Sequence, residues 1–473
     1  MKAAGSPRVA SVAASCASAR TNVQAAVPRV SPDPAGAEGS CTIALCDYSG
    51  AATASTVNTP RQILVASLIG TAIEFFDFYI YATASVLVFP RLFFPASDPA
   101  TATLASLATF AIAFIARPVG SALFGHFGDR VGRKATLVAA LLTMGISTVA
   151  IGLVPGYDTI GLAAPALLAL CRFGQGLGLG GEWGGAILLA TENAPPGKRA
   201  WYGMFPQLGA PIGFFCSGAS FLLISRLVSE EQFLTWAWRL PFLASAALVA
   251  VGLYVRLTLT ETPVFQKVID HRERVRVPFV TVVGAHPWAL AVGTIIGVSI
   301  YVDFYLTTVF TLSWGTAELG YTREQFLLIQ LFGTLFFAAA VPWSAKMAEG
   351  GRRRLLLWVN AGMAAYALLM APLFALGAIG AVVAVALGFL FMGLAYGPIG
   401  TVLAELFPAQ VRYTGSSLAY NLAGIFGASL APYAAQWLAA RHGLAAVGYY
   451  LAGAAALSFA GLVVSRETKD TAL

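Results

Sequence analysis

Charged residues are scarce in this chain. Of its 473 residues only 11% are Asp, Glu, Lys or Arg, whereas 58% are hydrophobic. A soluble domain carries about 25% charged residues, so this chain lacks the charge needed to cover a water-facing surface of its size. The composition therefore excludes an ordinary soluble protein and indicates that lipid is the solvent.

Cysteine is also sparse and follows no pattern. The five cysteines are Cys16, Cys41, Cys46, Cys171 and Cys216. Their spacing matches neither a zinc-ligand motif nor a disulfide framework, and the last two fall in apolar segments. Because no nucleophile and base set stands out either, the sequence predicts no metal, no cofactor and no enzyme activity.

Apolar runs of about 20 residues recur from Gln62 onward. Each is long enough to cross roughly 30 Å of hydrocarbon at 1.5 Å per residue. Twelve such runs are predicted to span the membrane: 62–90, 102–125, 135–154, 163–192, 202–225, 239–257, 287–313, 325–345, 354–374, 378–406, 413–439 and 445–464. An even number of spans places both ends of the chain on one side.

Basic residues decide which side that is. A net charge of +7 would suggest nucleic acid as a partner of a soluble protein, but here the charge lies in short loops, so we expect no nucleic-acid binding. One set of alternate loops holds most of it: Arg130, Arg133, Lys134, Lys198, Arg199, Arg256, Lys267, Arg272, Arg274, Arg276, Lys346, Arg352, Arg353, Arg354 and Arg412. The other set holds only Arg91, Arg226, Arg239, Arg323 and Arg441. The positive-inside rule then predicts that both termini are cytoplasmic.

The spans divide the chain into five predicted parts. Residues 1–60 are rich in Ala, Ser, Thr and Pro and are predicted to form a disordered cytoplasmic tail; a cleaved signal peptide is disfavoured because no continuous apolar core occurs there. Residues 61–257 and 287–464 form two bundles of six spans. The linker at 258–286 is predicted to carry an amphipathic surface helix before Pro278, and residues 465–473 form a short cytoplasmic tail.

The two bundles contain signs of internal repetition. Asp77-Phe78-Tyr79 in the first span matches Asp303-Phe304-Tyr305 in the seventh span, each about fifteen residues into its helix. Inverted or repeated halves are typical of secondary transporters. A duplicated transporter therefore fits the chain better than a channel or a receptor, and neither tail supplies the output domain that a receptor would need.

Buried charge marks the candidate site. Glu74 is predicted near the bilayer midplane, and Asp77 follows three residues later on the same helix face. Ionisable residues at that depth face a partner or a wet cavity, so the two acids suggest a proton or cation site. The alternative is a structural ion pair with a buried arginine, for which Arg117 and Arg172 are the candidates.

Several motifs carry a family resemblance. The segment 125–134 resembles the loop signature of the major facilitator superfamily, and Arg172-Phe-Gly-Gln175-Gly176 resembles its fourth-helix motif. Over roughly residues 60–467 the chain is most similar to the metabolite:proton symporter family within it. That similarity is carried by Glu74-Phe-Phe-Asp77-Phe78-Tyr79, Gly180-Gly181-Glu182-Trp183-Gly184-Gly185, Trp238-Arg239-Leu-Pro241-Phe242, Glu261-Thr-Pro263, Glu405-Leu-Phe-Pro408 and Val411-Arg412-Tyr413-Thr414-Gly415.

The resemblance implies an all-α membrane protein with the major facilitator fold, twelve helices in two pseudo-symmetric bundles. It associates Arg172 and Gln175 with coupling, alongside Glu182, which is otherwise a structural hydrogen-bonding group. It also implies a gating latch made by Gly125, Asp129, Arg130, Gly132, Arg133 and Lys134; the alternative is that the basic residues only set topology. Because the second-half hinge (residues 348–352) lacks the corresponding aspartate, the latch is predicted to rest on the first half.

The resulting functional hypothesis is an inner-membrane secondary carrier that takes up a small polar metabolite with protons. The predicted coupling groups are Glu74, Asp77, Arg172, Gln175 and Glu182, and the predicted substrate-binding groups are Arg117, Phe78, Tyr79, Trp183, Asp303 and Tyr305. Asp303 is either a cavity acid or a buried hydrogen-bonded group. A zwitterion such as proline or betaine and an organic acid such as shikimate stay open as substrates.

A proton-coupled exporter is the alternative function, because Gly209-Ala-Pro211-Ile-Gly213 weakly resembles the fifth-helix pattern of antiporters. The predicted partners are the substrate, protons and the lipid bilayer, and the protein is predicted to be monomeric.

Overall fold

The computed structural model describes residues 59–95, 98–128, 133–258 and 278–469. Twelve long helices match the twelve predicted spans: α1 (Pro60–Leu87), α2 (Pro99–Gly128), α3 (Arg133–Leu153), α4 (Ala163–Glu192), α5 (Arg199–Leu227), α6 (Leu240–Thr258), α7 (Pro287–Ala317), α8 (Arg323–Ala348), α9 (Arg352–Ala375), α10 (Gly377–Glu405), α11 (Arg412–His442) and α12 (Leu444–Val464). Within the described ranges the chain contains helices and connecting loops but no strand.

Two of the long helices are interrupted. A π turn at Leu306–Phe310 divides α7 into Pro287–Tyr305 and Thr311–Ala317, and a second at Ile425–Ser429 divides α11 into Arg412–Gly424 and Ala431–His442. The predicted linker ends in a short helix, Pro278–Ala285. The amphipathic helix predicted before Pro278 lies outside the described residues.

Ten helices in the described part of the chain are long and apolar enough to cross a membrane. The other two are α4 and α11, both of which carry several polar residues. In α4 the polar side chains of Arg172, Gln175 and Glu182 are fully buried among other helices. They are therefore compatible with a spanning helix, since none of them faces lipid.

Helix starts follow local capping chemistry. Thr59 and Gln62 form a capping box at the start of α1, and Thr322 and Gln325 form another at the start of α8. In each, the threonine hydroxyl accepts a hydrogen bond from the backbone N–H of the glutamine, and the glutamine side chain accepts one from the backbone N–H of the threonine.

The packing of the two halves repeats with an offset of six helices. In the first half, the main contacts are α1 with α5, α2 with α4, and α3 with α4 and α6. In the second half α7 packs on α11, α8 on α10, and α9 on α12. Two contacts cross between the halves: α5 packs on α8, and α11 packs on α2. Adding six to α5 gives α11, and subtracting six from α8 gives α2, so the two contacts are equivalent under the offset. The two-bundle pseudo-symmetric fold is confirmed.

Glycines set the closest approach in the first half. A Cβ on Gly180 of α4 would lie 2.1 Å from the carbonyl oxygen of Arg117, and one on Gly176 would lie 2.3 Å from that of Ala113. From α2, a Cβ on Gly120 would lie 2.1 Å from the carbonyl oxygen of Leu177. The two backbones touch along this seam, so it tolerates no side chain.

Gly180→Ala is therefore expected to destabilise the protein by about 1–3 kcal/mol, the usual cost of overpacking. The clash is with the α2 backbone, which cannot rotate away as a side chain would. Thermal unfolding of the purified protein in detergent measures the effect. Gly453→Ala is the matched control, because that α12 glycine has open space around it, and it should unfold at or above the wild-type temperature. An unchanged unfolding temperature for Gly180→Ala would contradict this packing.

Candidate functional site

A small cavity of about 10 Å³ lies between the two halves in this conformation. Five helices line it: Phe75 and Tyr79 from α1, Arg117 from α2, Ile300, Tyr301, Phe304 and Tyr305 from α7, Met392 and Tyr396 from α10, and Tyr420 from α11. The lining is aromatic, carries four tyrosines besides Tyr79, and contains one charged side chain. Apolar walls with a few polar groups are typical of small-molecule sites, although in this conformation the cavity has room for only about one water molecule.

Arg117 is the charged group of this lining. Its side chain is buried, one guanidinium nitrogen donates to the Tyr301 hydroxyl at 3.4 Å, and the carbon of the guanidinium lies 4.4 Å from the ring centre of Phe78. Within the described residues it forms no ion pair, and its Nε has no hydrogen-bond partner. The cavity therefore presents a cation whose charge is balanced by no carboxylate among the residues that the structure describes.

Aromatic rings from both halves close the cavity. The rings of Tyr79 and Phe304 lie 5.2 Å apart, and those of Tyr301 and Tyr420 lie 5.0 Å apart. Trp183, predicted to shape the cavity, stands behind its wall: its ring stacks on Tyr420 at 3.7 Å, and its indole N–H donates to Gln207 at 3.0 Å. Trp183 thus orients a lining residue without lining the cavity itself.

Phe78 is also placed behind the cavity. Its ring lies between two guanidinium groups, 4.4 Å from that of Arg117 and 4.1 Å from that of Arg172. Of the predicted substrate residues, Arg117, Tyr79 and Tyr305 therefore line the cavity, whereas Phe78 and Trp183 support it. The difference arises because neighbouring residues of a helix point in directions about 100° apart.

Asp77 is fully buried against α4 and α6. Its Oδ2 accepts from the Ser245 hydroxyl at 2.8 Å, its Oδ1 has no hydrogen-bond partner, and it forms no ion pair with the described residues. Its backbone carbonyl accepts from Gln175 at 3.4 Å. The alternative reading, a structural pair with arginine, is therefore not what the structure shows for Asp77.

Arg172 and Gln175 lie one helical turn apart and contact each other. A guanidinium nitrogen of Arg172 donates to Gln175 Oε1 at 2.9 Å, and the Gln175 amide donates to the Thr148 hydroxyl at 2.8 Å. The guanidinium also packs 4.1 Å from the ring centres of Phe78 and Tyr81. Gln175 thus links Arg172 to the Asp77 backbone, and all of these groups are buried.

Glu74 does not share a site with Asp77. It pairs with Arg256 of α6 at 3.0 Å, and Arg256 also pairs with Glu182 of α4. Arg256 was counted with the loop charges that set topology, and that assignment is wrong: its side chain is buried and reaches into the bundle. Glu74 therefore has its arginine partner, but the partner is neither Arg117 nor Arg172.

Asp303 is buried in the second half and does not line the cavity. Its Oδ1 accepts from the Thr307 hydroxyl at 3.3 Å on its own helix. Its neighbours Phe304 and Tyr305 form the cavity wall, so this placement does not support the prediction that Asp303 contacts substrate. Of the two alternatives, its described contacts favour the buried hydrogen-bonded group.

We call the side of the bundle at which α1 begins and α12 ends the terminal side. Polar contacts between the halves lie on this side. Glu405 of α10 lies 2.8 Å from Arg352 and 3.8 Å from Arg199 of α5, and Glu349 accepts from the Trp201 backbone N–H at 2.9 Å. The second-half hinge therefore contributes contacts between the halves on this side, and the prediction that the latch rests on the first half stays a prediction.

The predicted first-half latch is largely outside the described residues. Asp129, Arg130 and Gly132 fall there, and the side chains of Arg133 and Lys134 are not described either. Gly125 is described: a Cβ on it would lie 3.3 Å from the Thr414 hydroxyl of α11. It therefore sits where α2 meets the second half, as a latch residue would.

The opposite, far side also has charged contacts between the halves. Glu230, between α5 and α6, pairs with Arg323 at the start of α8 and with Arg91 at 3.4 Å. Arg226 of α5 lies 3.6 Å from Glu324 of α8. Charged and polar pairs therefore link the two halves on both sides of the cavity in this conformation.

Sequence reasoning missed five important residues. Tyr301, Tyr396 and Tyr420 line the cavity, Arg256 pairs with two acids, and Ser245 donates to Asp77. Buried tyrosines in apolar helices look like ordinary core residues, so only the fold identifies them. Arg256 carried a signal: it lies within a helix-length apolar run rather than after it.

The fold, with a site between two pseudo-symmetric bundles, is that of a multi-pass membrane transporter. The profile of the sugar (and other) transporter family matches residues 62–277 and 289–472. The chain belongs to this family, within the major facilitator superfamily. It is a transporter and not an enzyme.

Curated relatives agree with this class. The chain is 56% identical to the inner membrane metabolite transport protein YhjE of Escherichia coli K12, over 88% of this chain and 96% of that protein. It is 36% identical to the shikimate transporter of Escherichia coli K12 over 81% and 89%, and 32% identical to the proline/betaine transporter of Salmonella typhimurium over 87% and 84%.

Among solved structures, the proton:xylose symporter XylE matches with a TM-score of 0.69 over 86% of this chain and 96% of that chain. At 18% identity this likeness shows the fold alone.

Proposed function

We propose that the protein takes up a small metabolite bearing a carboxylate together with protons, by alternating access. The observation that carries the proposal is Arg117, a buried guanidinium that lines the cavity between the halves without an acidic partner among the described residues. Guanidinium groups bind carboxylates through two parallel hydrogen bonds. No acid lines the cavity, so an anionic group of the substrate supplies the missing charge.

The rest of the cavity limits the substrate further. Five tyrosines line it, and their hydroxyls suit a hydroxylated acid, while their ring faces suit a small ammonium group. Both shikimate-like and betaine-like compounds satisfy this chemistry, and relatives are named for each. A cation without a carboxylate is disfavoured because it would meet Arg117.

Asp77 is the proton-binding group in this mechanism. It can change protonation without breaking an ion pair, because its described contacts are the Ser245 hydroxyl and buried polar neighbours. It lies two residues before Tyr79 of the cavity wall, so movement of α1 links the state of Asp77 to the shape of the cavity. Arg172 and Gln175 hold α4 against the same segment.

The membrane frame of the proposal is the inner membrane, with both termini in the cytoplasm as the loop charges predict. The terminal-side contacts then form the cytoplasmic gate, and the far-side contacts form the periplasmic gate. Opening one gate at a time gives alternating access.

Uptake into proteoliposomes tests the proposal. Labelled shikimate, proline, betaine, 2-oxoglutarate and citrate are each offered under an imposed pH gradient or an imposed potential, with protein-free vesicles as the control. Accumulation of one compound that collapses with an uncoupler is the expected result. A zwitterion carried with one proton responds to both forces, whereas a monoanion with one proton responds only to the pH gradient.

Transport direction separates the exporter alternative. The glycines behind that alternative have a structural explanation: a Cβ on Gly209 would lie 2.7 Å from the backbone nitrogen of Ala72, and one on Gly213 would lie 2.6 Å from that of Phe76. They allow α5 to touch α1. If the solute moves in the direction opposite to the protons rather than in the same direction, the protein is an exchanger and the proposed symport is wrong.

Arg117→Gln is expected to raise the KM for the transported carboxylate about tenfold to a hundredfold. A hydrogen bond to a charged group contributes about 1.5–3 kcal/mol, and glutamine cannot supply the charge. Initial uptake rates over a range of substrate concentrations give KM and Vmax separately. Arg61→Gln, which changes an exposed arginine at the start of α1, should leave KM unchanged. A wild-type KM for Arg117→Gln would remove Arg117 from substrate binding.

A further inference from the structure

Asp303 is the second buried acid without an ion pair in the described residues. Its side chain is fully buried, Oδ1 lies 3.3 Å from the Thr307 hydroxyl, and Oδ2 has no hydrogen-bond partner. The transport mechanism described above does not use it. A buried carboxylate is retained only where the surroundings compensate it or where it has a function.

The surroundings of Asp303 are neutral. From α9, Tyr366 is the titratable neighbour, and its hydroxyl donates to the Ala384 carbonyl at 2.9 Å. From α8, the Gln330 amide donates to the carbonyl oxygens of Thr307 and Thr308 at 3.4 Å and 2.6 Å. No basic side chain in the described chain forms an ion pair with Asp303. An ionised carboxylate at this place has no counter-charge, whereas a protonated one needs none.

The backbone beside Asp303 departs from the α-helix. The π turn of α7 begins three residues after it, at Leu306, and includes Thr307. Such turns are frequent at functional sites. On the facing helix, a Cβ on Gly388 would lie 2.3 Å from the Thr307 hydroxyl, so a glycine is needed there to leave room for that hydroxyl.

Asp303 is one residue from the cavity wall. Phe304 lies 5.2 Å from Tyr79 between ring centres, and Tyr305 packs 5.3 Å from Phe114 of α2. Both contacts cross between the halves and must separate when the cavity opens. A movement of α7 that opened the cavity would therefore also shift the Asp303 carboxylate.

The position repeats that of Asp77. Asp77 precedes Phe78 and Tyr79 on α1, and Asp303 precedes Phe304 and Tyr305 on α7, the helix related to α1 by the six-helix offset. In both cases the acid is buried in its own half, accepts one hydroxyl hydrogen bond and lacks an ion pair among the described residues. The tyrosine two residues later lines the shared cavity.

We propose that Asp303 is a second proton-binding site, so that each transport cycle carries two protons, one on each half. The proposal rests on the proton-coupled function inferred above. It assigns the proton to the Asp303 carboxyl group in the closed state and its release to the state in which α7 has moved. Transport of a monoanion then becomes electrogenic, because two protons accompany one negative charge.

Infrared difference spectroscopy tests the site without any substrate. The full-length protein is reconstituted in lipid and titrated with pH, and the carbonyl stretch of protonated carboxyl groups is followed. Asp303→Asn should remove one titrating component, Asp77→Asn a different one, and the double variant both. Asp158→Asn, which changes an exposed acid between α3 and α4, should remove no buried component. The proposal is overturned if the spectrum of Asp303→Asn equals that of the wild type at every pH. It is also overturned if the spectral component that Asp303→Asn removes appears only in buffer that contains sodium.

The coupling ratio gives the second test. Vesicles are clamped at zero potential with a gradient of one pH unit, and labelled shikimate or proline, whichever the wild type accumulates, is followed to its steady state. Two protons predict about a hundredfold accumulation and one proton about tenfold, since each proton contributes one factor of ten per pH unit. Asp303→Asn should reach about tenfold. A wild-type ratio in this variant overturns the second site.

Two controls keep the outcomes apart. Asp303→Glu retains a carboxyl group and should keep the wild-type ratio, which separates proton binding from altered packing. If the wild type accumulates neither compound under the pH gradient, the proposed symport fails for these substrates, and the infrared result still decides whether Asp303 takes up a proton.

Discussion

Asp77→Asn is expected to lower proton-driven accumulation about tenfold for each unit of pH gradient. Asparagine has nearly the same shape and can still accept from Ser245 through its amide oxygen, but it cannot take up a proton. Because Asp77 forms no ion pair with the described residues, the substitution leaves no buried charge unpaired. One proton per pH unit corresponds to about 1.4 kcal/mol, which is the factor of ten.

The measurement compares two transport modes of the same vesicles. Steady-state accumulation under a pH gradient reports coupling, whereas counterflow at equal pH reports substrate binding and movement of the empty and loaded carrier. The variant should lose accumulation and keep counterflow. Asp158→Asn, an exposed acid, should keep both. Wild-type accumulation by Asp77→Asn would remove this carboxylate from the coupling step.

The residual accumulation of Asp77→Asn carries further information. If Asp77 is the sole proton site, the variant reaches equal concentrations on both sides. If Asp303 carries a second proton, the variant still accumulates about tenfold per pH unit, and the double variant reaches equality. The two acids therefore contribute separate factors, which is the expectation for sites on different halves with no contact between them.

The sequence predicted the fold well because its signals are local. The length of each apolar run follows from the thickness of the bilayer, so the twelve helices lie within a few residues of their predicted bounds. The π turns in α7 and α11 were not predicted, since no proline or charge marks Leu306–Phe310 or Ile425–Ser429.

The candidate site was predicted less well because its partners come from different helices. Asp77, Arg117 and Tyr79 were found, since a buried charge or a repeated motif marks each of them. The partner of Glu74 was not, because the reach of the Arg256 side chain and the packing of α6 on α1 decide it. The same holds for Tyr420, whose role depends on contact with the other half.

Arg256→Met is expected to destabilise the protein by about 3–5 kcal/mol. Arg256 is the partner of both Glu74 and Glu182, and all three side chains are buried. Removing one partner of a buried ion pair leaves the remaining charges uncompensated, which costs far more than losing an exposed pair. Arg226→Met is the matched control, because its pair with Glu324 is exposed and contributes at most about 1 kcal/mol.

Thermal unfolding in detergent measures these losses of stability. Replacing the two glutamates by neutral glutamines tests whether uncompensated charge causes them. If uncompensated charge is responsible, adding Glu74→Gln and Glu182→Gln to Arg256→Met should restore much of the stability, since no buried charge remains. A triple variant as unstable as the single one would show that the arginine acts through packing instead.

Transport by the stable triple variant then decides what the three charges do. The carboxylates of Glu74 and Glu182 and the guanidinium of Arg256 hold α1, α4 and α6 together. If their role is purely structural, neutral side chains that leave no buried charge unpaired can replace them. The triple variant would in that case accumulate substrate to the wild-type ratio. A stable variant that exchanges substrate but no longer follows the pH gradient would instead place Glu74 or Glu182 in the coupling step beside Asp77, because only a loss of proton binding separates those two activities.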